Sequence, residues 1–424
     1  MTQRKLLRGL VPLAVGGLLL AGCSAGTTPG DDGETFVYPS WMWEEGDVGV
    51  WHKQRMAEFE AAHKGVKVQA TQIGAGDFEN QINTQISAGQ FPDLMPAFTG
   101  MMPSLIANDL LAPLDECFAG TDLPDRVLPS ISVAEKDGKT YGAPLTMSPQ
   151  GLIYNSELMK QAGIDEVPTT ADELYSASKA IFETTGKFGY AYATDNADVQ
   201  QHYINSLQWM LGYGGDWSSE DGSITADDPR NVEALKAYLS FYEDGLTPKG
   251  LNADEIRTLF AEGGAAFIID GPWAITQVQS DNAELYPSVG YAPPPTPGHT
   301  AVTGGAFWVI PAGSKNYDLA CDYLKINLGE DVQREWLEGL LQIPGTNVKP
   351  SPAFIEKNPW VNEMAIVAAK YPGGLGYAPP GHRLEAAAFR QTAVDSLIGV
   401  FSGSTSVEDA LKEAQKNLTA EFGG

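Results

Sequence analysis

From Thr35 onward the apolar residues keep switching between a two-residue and a roughly four-residue period, and that switching narrows the possible folds more than any other feature of the chain. Residues 35–43 read as a strand, 48–63 as an amphipathic helix with Trp51, Met56 and Phe59 on its apolar side, and 66–73 as a second alternating strand. Phe78, Ile82 and Ile86 recur at four-residue spacing in a helix over 78–88 that ends at Gly89, and Pro92-Asp93 then leads into another strand. Strand and helix in regular alternation build a sheet with helices on both faces. The expected class is therefore α/β.

The same logic continues past the first third of the chain. Residues 142–155 read as extended, because Leu152, Ile153 and Tyr154 form a short apolar run bounded by Pro144, Pro149 and the polar pair Asn155-Ser156. A short helix stops at Ala162-Gly163, and Thr170 then offers an N-cap oxygen with Glu173 three residues on. Helices are expected over 203–211 and 229–242, with a Gly- and Asp-rich loop between them. At 260–273 a glycine turn, a buried apolar strand and Gly271-Pro272-Trp273 follow one another, which puts an aromatic at the carboxyl edge of a sheet strand. That edge is where open α/β sheets bind ligands. A stiff linker at 293–298 precedes a strand that opens with Gly304-Gly305, and helices are expected over 317–328, 331–337, 359–370, 386–401 and 407–422.

Composition excludes several classes. The 424 residues suggest two to three domains, and 43% hydrophobic content with 10% aromatics is ample for large cores. The formal charge is −27, or −30 without residues 1–22, which hold Arg4, Lys5 and Arg8 and no acid. So acidic a balance argues against nucleic acid and against electrostatic adhesion to membranes, both polyanions, and suits an uncharged ligand. His52, His63, His202, His299 and His382 show no metal spacing with each other or with the cysteines, and there is no Walker-type phosphate loop and no G-x-G-x-x-G after a strand, so no cofactor is expected.

The N-terminus has the form of an export signal. A basic start is followed by an apolar run at 10–20, too short to span a membrane as a mature helix, and Leu20-Ala21-Gly22-Cys23 places small residues before a cysteine. That resembles a bacterial lipobox, which implies a signal peptide at 1–22, cleavage before Cys23 and lipid on its thiol. Residues 23–34 then form a flexible tether, of roughly 17 Å root-mean-square span for ten residues. Gly22-Cys23-Ser24-Ala25-Gly26 satisfies a hydrolase nucleophile pattern, but an export signal precedes it where that pattern needs a strand. Cys117 and Cys321 remain, and two buried, inert thiols are the expectation, with a disulfide left open.

Tyr154-Asn155 at a strand's end, a helix closing on Ala162-Gly163, Pro168 with Thr170, Pro92-Asp93, Leu110 to Asp115 and Gly271-Pro272-Trp273 together resemble the carbohydrate receptors of ABC importers, the maltose-binding-protein type of extracellular solute-binding protein. Ala171 departs from the tryptophan often found there in that family. The resemblance implies a two-lobe periplasmic-binding-protein-like fold, each lobe a mixed sheet flanked by helices and joined by hinge crossovers. Lobe one is expected over 35–145 and 300–343, lobe two over 146–299 and 344–424. It also implies a saccharide ligand, permease subunits as partners, a membrane anchor through Cys23, no catalysis and a monomer.

Candidate ligand groups follow from what a neutral polyol needs, which is aromatic faces for its C–H patches and polar groups for its hydroxyls. With nine tryptophans and sixteen tyrosines the supply is generous. Trp43 and Trp273 stand where strands end, one expected in each lobe. Glu44, Glu45 and Asp47 follow the first strand, Thr99 follows a strand beside Phe98, and Ser148 and Gln150 stand at the entry to the Tyr154-Asn155 strand. Trp209, Asp270, Arg390 and the close-approach glycines Gly304 and Gly305 complete the set. The resemblance places an aromatic where Arg390 stands, so a salt bridge within lobe two is the alternative there. Two other functions stay open: a lipid-anchored glycoside hydrolase, since a carboxylate pair is defined by separation in space, and the same fold with a peptide, polyamine or metal-chelate ligand.

Overall fold

The structure is a computed structural model that describes residues 34–126, 133–375 and 379–423. The expectations for the signal peptide, for Cys23 and for the tether up to residue 33 lie outside the described residues. Glu34, expected as the end of the tether, already belongs to the first strand.

In chain order the strands are β1 Glu34–Ser40, β2 Val66–Gln72, β3 Met95–Phe98, the short pair β4 Glu135–Lys136 and β5 Lys139–Thr140, β6 Ala143–Pro149, β7 Gly151–Asn155, β8 Phe188–Tyr190, β9 Ala265–Asp270, β10 Val289–Ala292, β11 Ala301–Val309 and β12 Pro372–Leu375. The protein has the two-lobe α/β fold, a mixed sheet in each lobe with helices packed against it. In the first lobe β1 and β2 form a parallel pair, and in the adjoining sheet β11 runs antiparallel to both β3 and β6 and parallel to β12. The backbone amides of Asp93 and Leu94 both donate to the Val37 carbonyl, which brings β3 alongside β1. Asp93 is a clamp there, its Oδ2 accepting from Val37 N at 2.8 Å and its Oδ1 from Ser314 Oγ at 3.0 Å. The second sheet runs β10-β7-β9-β8, with β7 antiparallel to both neighbours.

Side-chain alternation along these strands sorts the cores. Phe36, Trp308 and Trp336 belong to one cluster in the first lobe. In the second lobe Leu152 and Phe267 point into one cluster while Ile153 and Ile268 point into another, so each face of that sheet is covered. β9, Ala-Ala-Phe-Ile-Ile-Asp, is buried along its whole length, as a central strand covered on both faces must be. Helix starts follow capping chemistry. Asn155 Oδ1 accepts from Glu157 N and Leu158 N at the start of the helix Ser156–Gln161, and Thr170 with Glu173 forms a capping box at the start of Ala171–Thr185.

Cys117 and Cys321 form a disulfide, with Cα atoms 5.4 Å apart across 204 residues of sequence, which corrects the expectation of two free thiols. The helices Asp115–Phe118 and Tyr317–Asn327 pack together in the first lobe. Their adjacency depends on the chain's return from the second lobe, which spacing alone does not reveal.

That return defines the hinge. The chain leaves the first sheet between β6 and β7, where Gln150 N donates to Val302 O at 2.8 Å, so the outgoing and returning strands run side by side. Gln208, on the helix Val199–Gly212, staples the return: its Oε1 accepts from Val302 N at 2.9 Å and its Nε2 donates to Thr300 O. A third crossing passes nearby, where Thr146 Oγ1 donates to Ile343 O at 2.8 Å.

Candidate functional site

The first-sheet half of the site is where β3, β6 and β11 converge beside the hinge. Gly304 lies opposite Ser148 in the β6–β11 register, and Thr99 N donates to Gly305 O at 3.1 Å, so Thr99, Gly305, Gly304 and Ser148 stand in one row. Thr99 and Ser148 are buried, and the Thr99 hydroxyl meets no partner within the protein. A buried donor and acceptor left unmatched is costly and is where a bound polar group would gain most. Gln150 is buried at the crossing itself, and the Tyr291 hydroxyl holds Pro149 O at 3.0 Å beside it.

One residue beyond Gln150 the row enters the second lobe. Gly151 pairs with Asp270 across β7 and β9, and Trp273 follows in the first turn of the helix Pro272–Asp281. Pro272 occupies the helix start, where its missing N–H costs nothing. Trp273 is half-buried, leaving part of its ring open. Asp270 is buried with both carboxylate oxygens occupied: Oδ1 accepts from Gly271 N and from Trp273 Nε1, and Oδ2 from Arg257 Nε. Asp270 is thus engaged within the protein on both oxygens, Oδ2 by a single bond.

Other expected groups are placed elsewhere. Trp43 is buried in the core of the first lobe, its Nε1 donating to Tyr38 O at 3.1 Å and its ring edge-on to Tyr38. The reason is local: Ser40 Oγ accepts from Met42 N, ending β1 early, and the turn Met42–Glu44 folds Trp43 back onto its own strand. Trp41 takes the strand's end, stacked on half-buried Phe98 with centroids 4.0 Å apart and planes 12° from parallel. Glu44 is exposed and paired with Lys53, and Asp47 is exposed in the first turn of the helix Gly46–Ala62, where the helix dipole favours an acid. Glu45 is exposed as a residue, yet loss of water around its carboxyl pushes it up to about 7.

Trp209 is wholly buried in the second lobe, ringed by Tyr190, Tyr213, Tyr238 and Phe241, with its Nε1 donating to Tyr190 Oη at 3.3 Å. It is core, not cleft. Arg390 is buried on the helix Ala386–Asp395, where its charge acts against the upward pull that burial exerts on Tyr203. Sequence reasoning missed Trp41, Arg257, Gln208 and Tyr291; only Trp41, beside a strand end, left a signal that could have found it.

Away from the hinge the lobes also approach, the helix Met102–Ala107 coming within 8 Å, Cα to Cα, of the turn Arg383–Glu385. Two surface depressions of about 530 and 440 Å³ lie on the second lobe and contain none of the row from Thr99 to Trp273. Among the described residues no group of three or more His, Cys, Asp or Glu is placed to hold a metal ion, and no helix is long and apolar enough to cross a membrane.

The family model described as bacterial extracellular solute-binding protein matches residues 54–363. The diacetylchitobiose-binding protein DasA of Streptomyces coelicolor is 26% identical over 402 residues, covering 88% of this chain and 87% of its own. The galactooligosaccharide-binding protein of Bacillus subtilis is 29% identical over 249 residues, 55% of each chain. Among solved structures, the GacH receptor of Streptomyces glaucescens, determined unliganded and with acarbose, superposes with a TM-score of 0.79 at 24% identity, covering 92% of this chain and 99% of that one. Maltose-bound MalE3 of T. maritima gives 0.80 at 21%, covering 91% and 99%.

Proposed function

The chain belongs to the family of bacterial extracellular solute-binding proteins, and from that premise we infer that it is the substrate receptor of a sugar ABC importer, closing two lobes around a mono- or oligosaccharide. The observation that carries this reading is the row from Thr99 through Gly305, Gly304, Ser148 and Gln150 to Trp273, which crosses the hinge without a break. Its composition suits a neutral polyol: an indole face for C–H patches, and a hydroxyl without a partner and backbone groups for sugar hydroxyls. The curated relatives that bind diacetylchitobiose and galactooligosaccharide support a saccharide ligand.

Capture of the ligand makes and breaks no covalent bond. The part that carries β1 to β6 and β11 moves as one body and the part that carries β7 to β10 as the other, about the three crossings. A ligand that touches both lobes favours the closed state by the contacts only that state offers, and the permease reads the closed form. The family match is to binding proteins, which decides against the hydrolase reading raised by the abundance of carboxylates.

A thermal-shift screen tests the ligand class. Diacetylchitobiose, maltose, maltotriose and galactooligosaccharides are compared with polyamines. The sugar that fits adds about 2.7 kcal/mol of stability at 100 times its dissociation constant, and is recovered uncleaved. A response to polyamines alone, or release of hydrolysis products, overturns the reading. The monomer is anchored by lipid on Cys23, two or more acyl chains holding where one does not. Cys23→Ser is expected to move the protein from the membrane fraction to the medium; retention in the membrane refutes the anchor.

A further inference from the structure

We infer that Arg257 and Asp270 act as a pair to hold the Trp273 indole in the orientation that presents its ring to the cleft, which makes them positioning residues for ligand stacking and not ligand contacts. The inference rests on the reading of Trp273 as the stacking surface of the second lobe.

Three constraints act on that ring at once. Its Nε1 donates to Asp270 Oδ1 at 2.7 Å, a charge-assisted bond that fixes which edge faces the sheet. Its six-membered ring lies against the backbone of Gly271, where a Cβ would come within 2.2 to 2.4 Å of three ring atoms. Only glycine leaves room for the ring there. The Arg257 guanidinium lies 5.9 Å from the ring centroid.

The carboxylate that anchors the indole is itself anchored. Asp270 Oδ1 also accepts from Gly271 N at 2.8 Å, and Oδ2 accepts from Arg257 Nε at 2.7 Å. Arg257 is held in turn by Asp254, at 2.8 Å from its Nη1. Arg257 projects from the helix Ala253–Ala261, whose start is fixed by a capping box between Asn252 and Glu255. The orientation of a ring at the end of β9 is thus set by a charge supplied from the preceding helix. An exposed tryptophan without such a frame would lose rotamer freedom on binding; here the frame has already fixed it.

The test compares Asp270→Asn, Arg257→Met and Trp273→Ala, singly and as the double variant Asp270→Asn with Trp273→Ala. Binding is measured with whichever sugar of the thermal-shift panel binds the unaltered protein most tightly. Asp270→Asn and Arg257→Met are expected to weaken binding five- to thirtyfold, and Asp270→Asn to have no further effect once Trp273 is alanine, because it acts only through that ring. Independently of any sugar, the indole N–H resonance of Trp273, assigned by its disappearance in Trp273→Phe, is expected to move in both single variants as the carboxylate bond is altered. Equal weakening by Asp270→Asn in the presence and absence of the Trp273 ring, or an unmoved indole resonance, overturns the positioning role. Unchanged sugar binding by Trp273→Ala overturns the stacking reading instead, while the resonance still reports whether the pair holds the ring.

Discussion

Trp273→Ala should bind its sugar about 2–3 kcal/mol more weakly, roughly 30- to 150-fold in Kd, with a smaller loss of folding stability than removal of an enclosed tryptophan causes. The expectation follows from where the ring sits. It is half-buried just after β9, framed by Gly271, Asp270 and Arg257 and packed against the edge of a second-lobe core, so truncation removes a pre-oriented apolar face and disturbs that core only at its margin. Trp209→Ala is the control. That ring is wholly enclosed, and its loss should cost about 3–5 kcal/mol of folding stability. Fluorescence titration beside thermal melting separates the two outcomes, and a Trp273→Ala protein that binds sugar normally would remove the second lobe's aromatic contact from the site.

The second large effect is a loss of stability in acid that traces to His52. This side chain is buried in the first lobe among Tyr38, Trp43, Trp51 and Trp336, with ring centroids 5.1 to 6.5 Å away, and neither ring nitrogen meets a partner within the protein. Burial lowers its pKa from 6.5 to about 3. Between those values the unfolded chain takes up a proton that the folded chain refuses, so stability present above pH 6.5 is lost as pH falls toward 3. The full shift corresponds to on the order of 5 kcal/mol. Asp216 works in the opposite sense: burial raises it to about 6, so what it contributes is present at low pH and lost as pH rises through that value. Comparing His52→Phe with the unaltered protein by urea denaturation at pH 7 and pH 4 isolates the histidine. The variant is expected to hold its stability at pH 7 and to lose much less at pH 4; parallel losses in both proteins would mean that His52 is not the acid-sensitive group.

Elements with strong local chemistry could be read directly from the residues. Trp51, Met56 and Phe59 lie buried on the first helix, Thr170 and Glu173 form their capping box, and β9 is buried along its length. Gly304 and Gly305 do stand opposite the strand that carries Ser148. What could not be read was direction. A tryptophan count does not say which indole turns inward: Trp43 and Trp41 are two residues apart, and one hydrogen bond from Ser40 decides which closes the core and which stacks on Phe98. Asp270 looked like a ligand group because its partner, Arg257, sits 13 residues away on another element. The disulfide was obscure for the same reason, since it joins segments 204 residues apart with much of the second lobe between them.

That bond has a topological result. Cys117 and Cys321 both belong to the core of the first lobe, so the chain between them, which includes β7 to β10, forms a closed covalent loop. A single protease cut anywhere in that loop leaves the two fragments joined, and they part only on reduction. In the oxidising space outside the cell the receptor can therefore be nicked in its inserted half and still migrate as one chain.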